Sequence, residues 1–383
     1  MAITNGRNLA ELASLINSDG KISAEAFSAE LTASIDPTMY DSASDVPFED
    51  AVKGTQVFVA SEGLLIKLTD SDWYSIDGST GAAAPTATQA QGTVSGYTSG
   101  GNGPAADTSN EIDKFPFAAD GNATDVGDLT IAKKTIWGQS SALSGYSSGG
   151  IDAVSTILNS IDKFPFAADG NATDVGDLTE ARWAGAGQSS TISGYSTGGK
   201  TSPDPAVARS STIDKFPFAA DANATDVGDL TQGRYLIHAG QSSTISGYSS
   251  GGFAPPAVNT IDKFSFAADG NATDVGDLTL ASRQGGGQSS SEFGYVSGGS
   301  PGGLNTIEKF SFSSDGNATD VGDLTQGRYY MAGQSSANSG YTSGGFAPPH
   351  VNTIDKFPFA ADANATDVGD LINARRQITG QQV

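Results

Sequence analysis

Cysteine is absent from the 383 residues, and histidine occurs only twice, as His238 and His350. The first absence excludes a disulfide framework, a thiolate metal site and a cysteine nucleophile. The second leaves too little imidazole for a histidine-built metal centre or acid/base pair. Basic residues are scarce too: 20 Lys and Arg face 43 Asp and Glu, a formal charge of −23 that repels phosphate backbones and anionic membranes. Nucleic acid is therefore not an expected partner. No apolar run approaches the roughly 18–20 residues of a membrane span, and the amino terminus lacks the h-region and cleavage site of a secretory signal. The chain is expected to be soluble, without membrane insertion and without a signal peptide. What is abundant is glycine, 49 residues, together with 15 Pro, 18 Phe and 11 Tyr. Charged residues make up 16% and hydrophobic residues 37%, so the chain can fill a core and does not have the profile of a disordered one.

A repeat organises most of the sequence. The motif I-[DE]-K-F starts at Ile112, Ile161, Ile213, Ile261, Ile307 and Ile354, at separations of 49, 52, 48, 46 and 47 residues. Each copy follows a G-Y-x-x-G-G block, with Tyr97, Tyr146, Tyr195, Tyr248, Tyr295 and Tyr341, and precedes N-A-T-D-V-G-D-L, starting at Asn122, Asn171, Asn223, Asn271, Asn317 and Asn364. One unit, such as Gly187 to Arg234, holds four short extended runs: GQSSTI, SGYSTGG, TIDKFPF and ATDVGDL. Glycine doublets and Asp/Asn turns separate them. Four strands in roughly 40–50 residues is the period of a β-propeller blade, whereas a helical repeat would show a 3.6-residue pattern. The doublets are expected to supply positive φ at a strand end. The C-terminal stretch Arg375 to Val383 matches the first-strand segment that follows earlier copies, and is expected to complete the first blade beside residues 93–101. A seventh blade from residues 50–80 would carry none of the motifs.

The Gly-Gly doublet closing the second strand, the aliphatic-acidic-x-aromatic third strand and a leucine followed by a basic residue make the unit similar to the Kelch repeat. Those residues are Gly198-Gly199, Ile213 to Phe216, Leu230 and Arg234. The resemblance implies a six-bladed Kelch-like β-propeller with four antiparallel strands per blade. Asp226-Val227 stand where a typical Kelch fourth strand carries Trp. Ahead of the propeller, Leu9, Leu12 and Ile16 recur at helical spacing, residues 55–77 look strand-rich, and residues 81–92 read as a linker. The domain expectation is thus a helical segment at 1–38, a strand-rich module at 39–80, the linker at 81–92 and the propeller at 93–383. The stretches Asn8 to Ile22, Tyr40 to Pro47 and Asp72 to Ser75 resemble the amino termini of tail-fibre and other virion appendage proteins of marine and cyanobacterial phages. That resemblance implies a location in the virion, an N-terminal anchor that docks to other virion proteins, and a homo-oligomer, with a trimer favoured.

Each candidate site also has a structural reading. The D-G-N-A-T-D-V-G-D stretch from Asp120 places oxygens with a calcium-loop spacing, making Asp120, Asn122 and Asp128 weak Ca²⁺ candidates. Strand-connecting turns favour the same residue types, and the expectation is no cofactor. Lys114 and its equivalents are expected to pair with Asp125 or Asp128 equivalents. In an antiparallel blade the second-to-third and the inter-blade connections share one end, and here those segments vary while the opposite end is constant. Loops on a rigid scaffold carry recognition, so the variable end is the predicted binding face. It holds Trp137, Trp183, Tyr235, Tyr329 and Tyr330 beside Arg182, Arg234 and Arg328, and also Phe253 and Phe346. Aromatics with polar neighbours suit sugar rings. The competing reading is that they plug the channel or pack between blades. No nucleophile, base and orienting group can be assembled, so an enzyme is not expected. The expected function is a non-enzymatic virion structural protein displaying a face for a host-surface glycan or receptor, or for a neighbouring virion protein. The alternative is a polysaccharide-cleaving propeller with an Asp/Glu pair about 5–10 Å apart near the channel.

Overall fold

The computed structural model describes residues 91–202 and 209–383 and, before them, the backbone of four strands. The chain divides into two units, Met1–Ala87 and Thr88–Val383. In the first, Met39–Tyr40 runs parallel to Gln56–Val59, and Gly63–Lys67 and Trp73–Ile76 follow as an antiparallel meander. The helices expected within residues 1–38 lie outside the described residues.

The second unit is an all-β propeller of six blades. The third blade, Ala186–Ser189, Ser193–Thr197, Thr212–Pro217 and Thr225–Asp229, shows the pattern: four strands paired antiparallel in chain order. Each blade's innermost strand carries a glycine at its second position, and in the first blade this strand is Thr379–Gln382 from the carboxyl terminus. There Thr379 faces Ser99 and Gln381 faces Tyr97, so the end of the chain closes the ring as the sequence predicts. In every blade the outer pair is interrupted by a bulge, as between Ile213 and Asp214. Both residues of the doublet Gly198-Gly199 have positive φ, +60° and +102°, the conformation only glycine adopts without strain.

Three six-membered rings hold the blades together. In the first, the glutamine of each inner strand donates to the tyrosine carbonyl of the next blade, as Gln139 to Tyr195 at 2.9 Å and Gln188 to Tyr248 at 2.9 Å. Gln381 to Tyr146 completes the circle. In the second, each tyrosine ring packs on the two phenylalanines of the next blade: Tyr195 lies 5.4 Å from Phe264 and 4.8 Å from Phe266, and Tyr341 returns to Phe115 and Phe117. Such pairs add about 0.5–1.5 kcal/mol each beyond burial. These rings close with six members, so a seventh blade has no place in them. Close to the axis the inner-strand glycines nearly touch. A Cβ on Gly187 would overlap the Gly138 carbonyl, and the same holds from Gly240 to Gly187 and around to Gly138 against Gly380. Glycine is required there because backbones meet.

The third ring corrects an expectation. Lys114 and its equivalents do not pair with the D-V-G-D aspartates; each reaches the loop aspartate of the next blade, as Lys163 to Asp221 at 2.9 Å and Lys356 to Asp120 at 2.9 Å. The rotation between blades brings the neighbour's loop over the third strand, while Asp125 turns back on its own chain to accept from the Gly127 N–H. These pairs are open to water, with Asp221 59% exposed. Lys163→Met is accordingly expected to change stability by less than about 1 kcal/mol, read from the urea midpoint. A larger loss would mean that the ring acts cooperatively.

Candidate functional site

The two ends of the propeller differ as the loop lengths predict. At the constant end, each turn between the first two strands is fixed by a serine hydroxyl: Ser190 Oγ accepts from the Ser193 N–H at 3.0 Å. The same device recurs at Ser141, Ser243, Ser290 and Ser336. The chain comes into the propeller at this end, where Gln91 Nε2 donates to the Ser289 carbonyl and the Gly92 N–H to the Ser335 carbonyl.

At the opposite end a backbone collar surrounds the channel mouth. Thr135, Ala184, Leu236, Gln284, Tyr330 and Gln377 occupy equivalent places and all have left-handed φ, between 48° and 65°. Their amides link neighbouring blades: Thr135 donates to Gln377, Ala184 to Thr135, Gln284 to Leu236, Tyr330 to Gln284 and Gln377 to Tyr330. Ile237 N–H to the Ala184 carbonyl completes the ring. A non-glycine residue with positive φ is strained, and six in register around one mouth mark a position that the tertiary contacts impose. The channel below encloses about 160 Å³ and is lined by the six inner strands with their glycines, by Gln284, Tyr330 and Gln377, and by His238.

Outside the collar, each inter-blade connector pairs with the second-to-third loop of the following blade: Trp183 with Lys200, Tyr235 with Phe253, Arg283 with Ser300, Tyr329 with Phe346, and Arg376 with Asn102. Side chains of these segments form two aromatic groups. Trp183 meets Tyr235 at 5.7 Å, Tyr235 meets Phe253 at 5.6 Å, and Tyr329 meets Phe346 at 5.6 Å and Tyr330 at 5.4 Å. Three cations lie over these rings. Lys200 Nζ is 5.2 Å from the Tyr235 centroid, Arg283 is 4.4 Å from Phe253, and Arg376 is 4.4 Å from Phe346. The structure thus gathers Trp183, Tyr235 and Phe253 in one group and Tyr329, Tyr330 and Phe346 in another at the same end, all half-buried. Lys200, Arg283 and Arg376 are not among the residues expected at this face, although Arg283 and Arg376 occupy the connector position held by Trp183, Tyr235 and Tyr329.

Four other residues assigned to this face lie elsewhere. Trp137, 3% exposed, packs between blades with Tyr146 and Phe216. Arg182, Arg234 and Arg328 are fully buried and bind the third-strand aspartates: Arg182 to Asp214 at 2.6 Å, Arg234 to Asp262 at 2.9 Å and Arg328 to Asp355 at 3.2 Å. Lys133 to Asp162 and Arg375 to Asp113 complete a set of five. The connector crosses directly above that aspartate, so its first basic side chain points down into the blade and the residue after it points out. Burial lowers the Lys133 pKa, opposed by Asp162 beside it.

The fifth blade departs from this plan. Ser282 stands where the others have a basic residue, and Glu308 replaces the aspartate. His238, an extra residue in the preceding connector, fills the gap: its Nδ1 is 2.6 Å from Ser282 Oγ and its Nε2 is 2.9 Å from the Gly298 carbonyl. In the third blade Arg182 donates to the corresponding carbonyl, that of Gly198. Since a carbonyl only accepts, Nε2 carries the proton and Nδ1 accepts from Ser282, which suits a neutral ring. Burial lowers the His238 pKa to about 4, against 6.5 in the unfolded chain. The stability associated with neutral His238 is therefore present above pH 6.5 and lost as pH falls from there through about 4. Glu308 works in the opposite sense, because burial raises its pKa and acidification relieves its charge. Between pH 7 and 4.5 the His238 contribution is about 2–3 kcal/mol. His238→Gln is expected to flatten this acid limb by that amount in urea titrations at the two pH values. An unchanged slope would assign the limb to other groups.

Asp120 Oδ1 is held by Lys356, and Asn122 Oδ1 accepts from the Asp370 N–H, so both oxygens serve inter-blade contacts. Asp128 donates its own N–H to Asn171 Oδ1 in the same repeated link. Among the described residues no group of three or more His, Asp or Glu is arranged to hold a metal ion. Neither protein-family models nor curated proteins gave any match to this chain.

Proposed function

We propose that this chain is a non-enzymatic virion appendage protein whose propeller presents its variable end to a host-surface glycan, while residues 1–87 dock to other virion proteins. The observation that carries this reading is the polarity of the propeller. The chain joins it at the constant end, through Gln91 and Gly92, and the aromatic and cationic groups lie at the other. A head tethered on one side offers its opposite side to a ligand. The constant end also exposes Val94, Leu143, Ile192 and Ile245 at equivalent turns of four consecutive blades, an apolar arc suited to a protein neighbour. The Kelch-like repeat and the appendage-like amino terminus belong to the same proposal, as does a trimer formed through residues 1–38. The polysaccharide-cleaving alternative needs two carboxylates at the channel, and the residues lining it include no Asp or Glu.

The test is binding of the full chain to host cells and a glycan array. Trp183→Ala combined with Tyr235→Ala is expected to weaken binding roughly tenfold or more at an unchanged thermal midpoint. Undiminished binding by this variant would remove recognition from the variable end.

A further inference from the structure

We infer that the ligand of the variable end is an acidic polysaccharide, with carboxylate or sulfate groups held at Arg283 and Arg376, the buried charge of Lys200 adding to their field, and sugar rings laid on the adjoining aromatics. The inference rests on the binding reading above and names the chemistry of its ligand.

The argument starts from the distribution of positive charge. Residues 91–383 contain sixteen Lys and Arg. Six lysines are tied to the next blade's loop aspartate, and five cations are buried in ion pairs beneath the connectors. Lys134 holds Asp107 within the variable end. The remaining four, Lys200, Arg209, Arg283 and Arg376, make no ion pair among the described residues, and all four belong to variable-end segments. Among the described residues, every cation of this unit that makes no ion pair therefore lies at one end, where Arg376 also feels the charge of Asp107.

Their surroundings sharpen the chemistry. Lys200 is only 3% exposed, and its ammonium lies near two ring faces, Trp183 and Tyr235, with no ion pair among the described residues. Aromatic faces replace part of the lost hydration of this cation, and its buried charge still adds to the potential that an anion meets at the surface above it. Arg283 and Arg376 each lie 4.4 Å over a phenylalanine ring, which fixes the guanidinium while its N–H groups remain to grip a carboxylate or sulfate in bidentate fashion. Arg376 spends one N–H on Asn102 Oδ1 at 3.2 Å. Arg376 also lies 5.8 Å from the Tyr330 ring centroid. A sugar acid uses both parts of this face: its charge meets the cations and its ring meets the half-exposed faces of Trp183, Tyr235 and Tyr329. An acidic peptide would use the cations alone.

Calorimetric titration of the full chain with tetragalacturonate, a sulfated galactan tetrasaccharide, cellotetraose and tetraglutamate tests this, with two variants of unchanged thermal midpoint. These are Arg283→Gln with Arg376→Gln, and Trp183→Ala with Tyr235→Ala. The expected result is that one acidic tetrasaccharide binds at least about tenfold more tightly than cellotetraose, and weakens about tenfold or more in the arginine variant and at raised salt. Which of the two binds identifies carboxylate or sulfate as the acid. Equal binding of cellotetraose, lost only in the aromatic variant, would overturn the acidic class and leave the binding face standing. Tetraglutamate binding as tightly as the sugars would overturn the polysaccharide in favour of a peptide. No binding by any probe, or binding unmoved by either variant, would overturn both this inference and the reading beneath it.

Discussion

Deleting residues 379–383 is expected to lower stability by more than about 5 kcal/mol, or to abolish the single cooperative transition altogether. The deletion removes the strand Thr379–Gln382 that pairs with Ser95–Ser99, so the first blade loses its inner member and exposes an edge. It also removes Gln381, whose amide donates to the Tyr146 carbonyl and to Ser99 and Ser147, and Val383, whose carbonyl accepts from the Val94 and Ser95 N–H groups. At about 1 kcal/mol net per hydrogen bond, together with the unsatisfied buried partners left behind, the sum reaches this size. The ring of glutamine bonds and the ring of glycines are both cut at one point, and a closed structure then has a seam. Urea unfolding of the truncated chain measures the loss, and a synthetic peptide of sequence RRQITGQQV supplied in excess is expected to restore much of it. A truncated chain that unfolds at the wild-type midpoint would show that closure contributes little.

The second large effect concerns the buried ion pairs. Arg182→Met is expected to cost about 3–5 kcal/mol, because it leaves Asp214 charged and without its cation at 0% exposure. Arg182 also donates to the Gly198 and Thr212 carbonyls at 3.0 and 2.9 Å, which lose their partner. Asp214 keeps the Thr179 N–H and hydroxyl, and these cannot neutralise it. The fifth blade provides the internal comparison. Glu308 has Thr279 as its donor and no cation, and burial raises its pKa. Removing its charge with Glu308→Gln is expected to be neutral or stabilising at pH 7, whereas Asp214→Asn destabilises. Chemical denaturation of the three variants decides the matter; a mild Arg182→Met would mean that water reaches Asp214 when the guanidinium is gone. The first blade is an intermediate case, since Ile372 stands where other blades have the threonine that caps the aspartate, and burial raises the Asp113 pKa despite Arg375.

The sites were less legible than the fold, and particular residues show why. Alternation along a strand distinguishes in from out only when one face is wet, and a propeller blade is covered on both. The second strand Ser193–Thr197 is buried at every position, so no periodicity could separate Tyr195 from its neighbours. The same ambiguity hid Arg182: a basic residue in a loop looks exposed until the third strand places Asp214 beneath it, 32 residues away. Trp137 looked like Trp183 by composition, yet its position on an inner strand puts it between blades. Lys200 gave no signal at all, since its two aromatic neighbours come from separate connectors.

The sequence alone determined the six repeated units, the four strands in each, the positive φ of the glycine doublets and the closure by the carboxyl terminus. All of these follow from local turn chemistry and from a repeat whose copies are nearly identical. Only the tertiary structure decided which cations are buried and which make no ion pair among the described residues. That choice depends on the rotation between neighbouring blades, which carries each lysine to the next blade's loop and each connector over the next blade's aspartate. A rotation in space leaves no mark in the order of residues along one unit.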